Sequence, residues 1–169
     1  MAAANRGEAG AFEALYHRHR DFVHRVALRF SASREDALDV LQDAFLHLLS
    51  RFPGFELTAR LTTYLYPVVR HLARDRRLRR RPANAPLEAL PEGAAWDPPS
   101  PEAAREELAA VLAVLPEAQR ETLLLRFAED LELADIAAAM AVPVGTVKSR
   151  LHHALAHLRG DPRTRDYFA

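Results

Sequence analysis

An all-α fold in two small helical domains follows from three observations. Apolar residues recur at helical spacing on both sides of the middle of the chain, and no alternating strand pattern or internal repeat interrupts them. Residues 82–101, PANAPLEALPEGAAWDPPSP, hold six prolines. Proline removes a backbone donor and disfavours helix at the preceding residue, so this stretch predicts an extended linker. Residues 131–159 read as two helices joined by a tight turn, a helix-turn-helix. The domains therefore fall at 1–81 and 102–169, each with a core that is possible but marginal for its size.

The elements follow in order. Phe12, Leu15, Tyr16, Phe22, Val23, Val26, Ala27 and Phe30 form the apolar face of a first helix. Ser33 is a natural N-cap, with Asp36 at the capping-box position, and that second helix runs to about Phe52, where Pro53-Gly54 ends it. A third spans 61–80. Pro67 inside it removes one hydrogen bond and predicts a kink costing about 3 kcal/mol if unaccommodated. Beyond the linker, 102–115 is a helix, and Pro116 opens the next as a first-turn proline. The helix-turn-helix closes the chain, with Ile136, Ala137, Met140, Val142, Val147, Leu151, Leu155 and Leu158 as one inward seam.

Composition narrows the function. The chain has 169 residues, 49% hydrophobic and without cysteine, which excludes disulfides, thiol catalysis and thiolate zinc sites. No run of about 18 apolar residues and no apolar leader is present, so neither a membrane span nor secretion is expected, and the cytoplasm is the expected location. Lys148 is the only lysine among 23 basic residues, a sign of codon bias in a GC-rich genome. The net charge of zero hides a division: residues 1–81 carry 15 arginines against 9 acids, and the remainder 8 basic residues against 14 acids. Any nucleic-acid contact must therefore come from local patches.

Two such patches stand out. The third helix ends in ARDRRLRRR, and with Arg70 just before it, Arg74, Arg76, Arg77, Arg79, Arg80 and Arg81 face the single acid Asp75. Phosphate binding with counterion release suits such a run, and a solvated helix end is the plainer alternative. The aromatics Phe55, Tyr64 and Tyr66 precede it and could stack on unpaired bases or simply fill a core. The second patch is the outer face of the last helix, with Thr146, Lys148, Ser149, His152 and His153 opposite the seam and Arg150 at its flank. Short donors and a cation there suit the major groove. On the second helix, Asp36, Asp39, Gln42, Asp43 and His47 point away from Val40, Leu41, Ala44, Phe45 and Leu48. That face could dock a basic partner helix, though on spacing alone a plain solvated face is the better explanation. The pairs His153/His157 and His17/His19 lack further ligands at metal spacing, and no catalytic constellation is evident. A binding protein without metal, cofactor or small-molecule substrate is expected.

The stretch PVGTVKSRLH closely resembles the last helix-turn-helix of bacterial sigma factors. FEALYHRHRDFVHRVA, DALDVLQDAFLHL and LTTYLYPVVRHLARD resemble the promoter-melting domain of the same family, and nearly the whole chain is similar to its extracytoplasmic-function (ECF) members. The resemblance implies roles by position. Asp39, Gln42, Asp43, Phe45 and Leu46 match the helix that grips the coiled-coil clamp of core RNA polymerase. Arg60, Tyr64, His71 and Asp75 fall where the family opens and reads the −10 element, with Arg76, Arg77, Arg79 and Arg80 alongside. Thr146, Lys148, Ser149, Arg150, His152 and His153 fall on the −35 reading face, with Arg126 at a backbone contact. The resemblance further implies promoter DNA, a separate anti-sigma factor and a linker threaded through the polymerase. Tyr64 stands where the family has tryptophan, Ala141 where it has glycine, Glu132 where it has a serine cap and His153 where arginine is common. A polymerase-independent helix-turn-helix regulator is the competing expectation; it needs a dimer and a palindromic site.

Overall fold

The computed structural model describes residues 1–80 and 101–164, with side chains described for 1–79 and 108–164. Among the described residues there are eight helices and no strand: α1 (Ala2–Asn5), α2 (Ala11–Phe30), α3 (Arg34–Leu49), α4 (Leu61–Arg80), α5 (Pro101–Val114), α6 (Glu117–Phe127), α7 (Leu133–Met140) and α8 (Val144–Gly160). The chain divides into two compact units, Met1–Pro86 and Leu87–Ala169. The expected linker at 82–101 lies outside the described residues except for Pro101, which opens α5 as a first-position proline.

In the first unit α2, α3 and α4 pack against one another in pairs. Val23, Val26 and Ala27 of α2, Val40, Ala44 and Leu48 of α3 and Leu65, Tyr66 and Val69 of α4 are all fully or nearly fully buried. Each such leucine or valine contributes about 1.5–3 kcal/mol relative to exposure. Ser33 caps α3 as the sequence predicts: its hydroxyl accepts from the Asp36 backbone N–H at 3.1 Å and reaches the Asp36 carboxylate at 3.1 Å. That draws Asp36 inward to 3% exposure, so it leaves the outer face expected of it. Tyr66 is likewise core, not a stacking platform. Pro67 does not interrupt α4, which runs as a single helix with the proline on its exposed side.

Two features of this unit were not legible in the sequence. The four-residue α1 precedes α2, and its last residue, Asn5, reaches across 49–50 positions to the loop between α3 and α4. A chain of aromatic rings then links three elements: Tyr16 and Phe12 to Phe45, Phe12 to Phe52, Phe52 to Phe55, and Phe55 to Tyr64, with centroids 4.8–6.4 Å apart.

The second unit packs α6, α7 and α8 on one another. Val111 of α5 and Leu115 just beyond it join Leu123, Ala154 and Leu158 in its core. The seam is largely the expected one. Ile136, Ala137, Val147 and Leu158 are buried, whereas Met140, Val142, Leu151 and Leu155 are half-buried and Ala139 and Ala154 take inward positions beside them. Pro116 sits at the N-cap of α6, one position earlier than the first-turn role expected of it. Ala141 ends α7 in the left-handed region, φ 53 and ψ 47, with the Val142 N–H donating to the Ala137 carbonyl at 3.0 Å. Glu132, at the N-cap of α7, makes no side-chain cap bond. At the far end of α8, Asp161 accepts from the Arg163 side chain and backbone, which pushes its carboxyl down to about 2.

Candidate polymerase and nucleic-acid interfaces

Helix α3 presents Asp39, Gln42 and Leu46 to solvent, with Asp43 half-exposed beside them. Leu46 is 63% exposed, and Leu38 and Leu49 lie open on the same helix. Leu38, Leu46 and Leu49 thus form an exposed apolar strip with Gln42 between. Leu38 and Leu49 escaped the sequence reading, although their phase, outside the Val40–Ala44–Leu48 seam, carried the signal. Phe45 does not belong to this surface. It is 4% exposed and turned inward against Phe12 and Tyr16, so it supports the outer face from behind.

The basic end of α4 is more thoroughly paired than the sequence suggests. The Arg76 guanidinium donates from Nη1 to Asp39 and from Nη2 to Asp43, the latter at 2.9 Å. Arg79 meets Asp75 at 2.7 Å, one turn apart. Arg70 and Arg74 both lie over the Phe30 ring, 5.9 and 5.7 Å from its centroid. The expectation of one acid facing seven guanidinium groups is corrected: α3 supplies two carboxylates that a reading along α4 cannot see. Arg77 is exposed, while the Arg80 and Arg81 side chains lie outside the described set. Asp75 is half-exposed, with one carboxylate oxygen engaged by Arg79.

Arg60 and His71 are exposed and Tyr64 is half-buried between them in sequence. The Tyr64 ring lies 4.9 Å from Phe55 at a 60° tilt. Its hydroxyl is buried without a hydrogen-bond partner, so the polar end of the ring faces inward. Phe55 itself is half-buried, which makes Phe55 and Tyr64 a linked aromatic pair beside the basic helix.

Helix α8 divides cleanly. Val147, Ala154 and Leu158 are buried, and Lys148, Ser149, His152 and His153 are exposed on the other side, with Thr146 half-buried. Val144, 40% exposed, stands four residues before Lys148 and adds an apolar contact point at the helix start that the sequence reading did not include. Arg150 lies at the flank, Nη1 3.9 Å from the Met140 sulfur, and Met140 also receives the Thr122 hydroxyl at 3.4 Å. Arg126 is engaged within the unit: Nη1 donates to the Leu131 carbonyl at 3.0 Å and lies 3.8 Å from Glu132, which ties α6 to the segment entering α7. Among the described residues no group of three or more His, Asp or Glu side chains is arranged to hold a metal ion, and no helix is long and apolar enough to cross a membrane.

Residues 15–82 match the model for sigma-70 region 2 and residues 105–158 the model for sigma-70 region 4. The RNA polymerase sigma-E factor of Streptomyces avermitilis is 33% identical over 160 residues, spanning 95% of this chain and 89% of that protein. The chain belongs to the sigma-70 family of RNA polymerase sigma factors. The ECF sigma factor SigM of Mycobacterium tuberculosis is 35% identical over 164 residues, 94% of this chain and 80% of that protein, which puts this sigma factor in the ECF group. In solved structures, CnrH bound to the cytosolic domain of CnrY matches 94% of this chain and 92% of its own, with a TM-score of 0.68 and 25% identity. The fold is also that of the Bartonella quintana sigma factor RpoE, seen with the anti-sigma factor NepR, at a TM-score of 0.69 and 20% identity over 90% of this chain and 96% of that one. This sigma factor is thus an alternative initiation factor that binds core RNA polymerase and promoter DNA. Its family is regulatory and not enzymatic.

Proposed function

We propose a division of labour between the two units. The first docks core polymerase through α3, with Asp39, Gln42, Asp43 and Leu46 as the contact surface and Leu38 and Leu49 extending it. Basic and apolar groups of a partner helix fit a face that alternates carboxylate, amide and leucine. The same unit opens and reads the −10 element from Arg60, Tyr64 and His71, with Arg77 holding phosphate. The second unit reads the −35 element through Lys148, Ser149, His152 and His153, helped by Val144 and Thr146, while Arg150 and Arg126 hold the frame. The linker at 82–101 joins the two along the polymerase.

One observation carries this reading: α8 buries Val147, Ala154 and Leu158 while Lys148, Ser149, His152 and His153 are exposed on the opposite side. A helix so divided can enter a major groove without losing its packing. The protein works in the cytoplasm without covalent chemistry, and a separate anti-sigma partner holds it in reserve, as CnrY and NepR accompany CnrH and RpoE.

Run-off transcription with purified core polymerase on promoters from the native genome tests the reading. A defined start appears only when both proteins are present. Binding of the isolated chain to a palindromic duplex as a dimer, with no effect of polymerase, would overturn it in favour of a polymerase-independent regulator.

A further inference from the structure

The loop between α3 and α4 is held from a distance by one side chain. Asn5, the last residue of α1, accepts from the Gly54 and Phe55 backbone N–H groups at its Oδ1 and donates from Nδ2 to the Phe55 carbonyl, each at 2.9 Å. Among the described residues these are the only hydrogen bonds made by the Gly54 and Phe55 backbone. Gly54 has φ +92, a conformation open to glycine and strained for other residues, so the turn is shaped to offer two successive N–H groups to one oxygen. Phe55 then carries the constraint outward: its ring lies 4.9 Å from Tyr64 and 5.7 Å from Phe52. The chain of contacts runs from the N-terminus through one amide and one ring to the residue read above as the −10 contact.

We propose that Asn5 is a positioning residue for promoter opening, and that α1 is a strap which sets the α3–α4 loop and, through Phe55, the angle of the Tyr64 ring. The proposal rests on the reading of Tyr64 as a −10 contact. Asn5 touches no DNA in this scheme. It fixes the backbone beneath an aromatic pair, and a ring face on which an unpaired base stacks is useful only when it is held at one angle. An amide meets this need because it supplies acceptor and donor at once, matching the N–H, N–H and C=O groups of one turn.

The test uses the full chain with core polymerase and compares Asn5→Ala, Asn5→Asp and Tyr64→Ala. Three quantities are measured on each: affinity for core polymerase, thymine reactivity to permanganate in the −10 region, and the spread of opening across single-base −10 substitutions. For Asn5→Ala, polymerase affinity should stay within about twofold, opening should fall by about tenfold and the spread across −10 bases should flatten. Asn5→Asp keeps the two acceptor contacts and loses the donor, so it should fall between. Amide exchange at Gly54 and Phe55 should be slow in the parent and fast in Asn5→Ala. Unchanged −10 preference in Asn5→Ala, or an equal loss of polymerase binding and opening, overturns the strap. Fast exchange of both amides in the parent overturns it as well. If Tyr64→Ala leaves opening and preference intact, the −10 reading of that ring falls and the proposal with it. If Tyr64→Ala impairs both and Asn5→Ala neither, the −10 reading stands and only the strap is lost.

Discussion

Ala141 occupies the left-handed region at the turn of the helix-turn-helix, where a β-carbon crowds the following carbonyl. That conformation costs roughly 1–2 kcal/mol for an L-residue and little for glycine. Ala141→Gly should therefore stabilise the second unit by about 1 kcal/mol, read as a rise in the thermal midpoint. In the first unit the residue to watch is His19. Burial, with the Arg18 charge beside it, pushes its imidazole below the usual 6.5. An unfolded His19 then takes up a proton near pH 6.5 while the folded one stays neutral to lower pH. Its stabilising contribution is complete above that value and is lost as the medium is acidified below it. Unfolding midpoints between pH 7.5 and 5.5 should fall less steeply in His19→Gln than in the parent. At this scale the sequence was a partial guide. It placed Ser33 at its cap and Ala141 at its turn because both depend on neighbours within a few residues. Spacing also turned Phe45 inward, where it lies, and only the family resemblance drew it to the outer face. Spacing misplaced Asp36, because a helix has a flank between its inner and outer faces, and only packing decides which way a flank residue turns.

At the scale of elements the reading was closer. Helix α4 has the expected bounds of 61–80 despite Pro67, because the apolar positions on either side, Leu61, Leu65, Tyr66, Val69 and Ala73, all reach the core and outweigh the missing bond. What periodicity could not give was the state of the arginines at its end. Arg76 is neutralised by α3, Arg79 by Asp75, and Arg77 stands exposed. Arg77→Ala should reduce the salt slope of promoter binding by about one unit, and Arg76→Ala by distinctly less, when affinity is titrated over a range of salt. Helix α8 was legible almost completely, since a recognition helix declares itself by one apolar and one polar face. Lys148→Ala should cost about 1–3 kcal/mol on the preferred −35 element and relax preference at a single base pair. An even loss over all single-base −35 substitutions would make Lys148 a backbone anchor instead.

At the scale of the whole molecule, two helical units were readable from apolar periodicity on either side of a proline-rich stretch, and a sigma-70 region matches within each. The N-terminal strap was not, because MAAAN carries no periodicity and Asn5 finds its partners some fifty positions away. The same blindness to distance hid the bridge from Arg76 to Asp39 and Asp43. If polymerase docks on those carboxylates as proposed, the bridge makes two binding events thermodynamically dependent. A polymerase helix that takes the two carboxylates releases a guanidinium beside the DNA path. A phosphate that takes the guanidinium uncovers the carboxylates for polymerase. Each ligand must then strengthen the other by the same factor, since a coupling free energy is reciprocal. Partly exposed pairs of this kind are worth about 0.2–1 kcal/mol each, so the factor is severalfold. Measured on a −10 fragment with and without core polymerase, the gain in affinity conferred by polymerase should shrink in Arg76→Ala by that factor. Affinity for polymerase in the absence of DNA should rise. Free chain and polymerase-bound chain are therefore different DNA ligands, and an affinity measured on one does not transfer to the other.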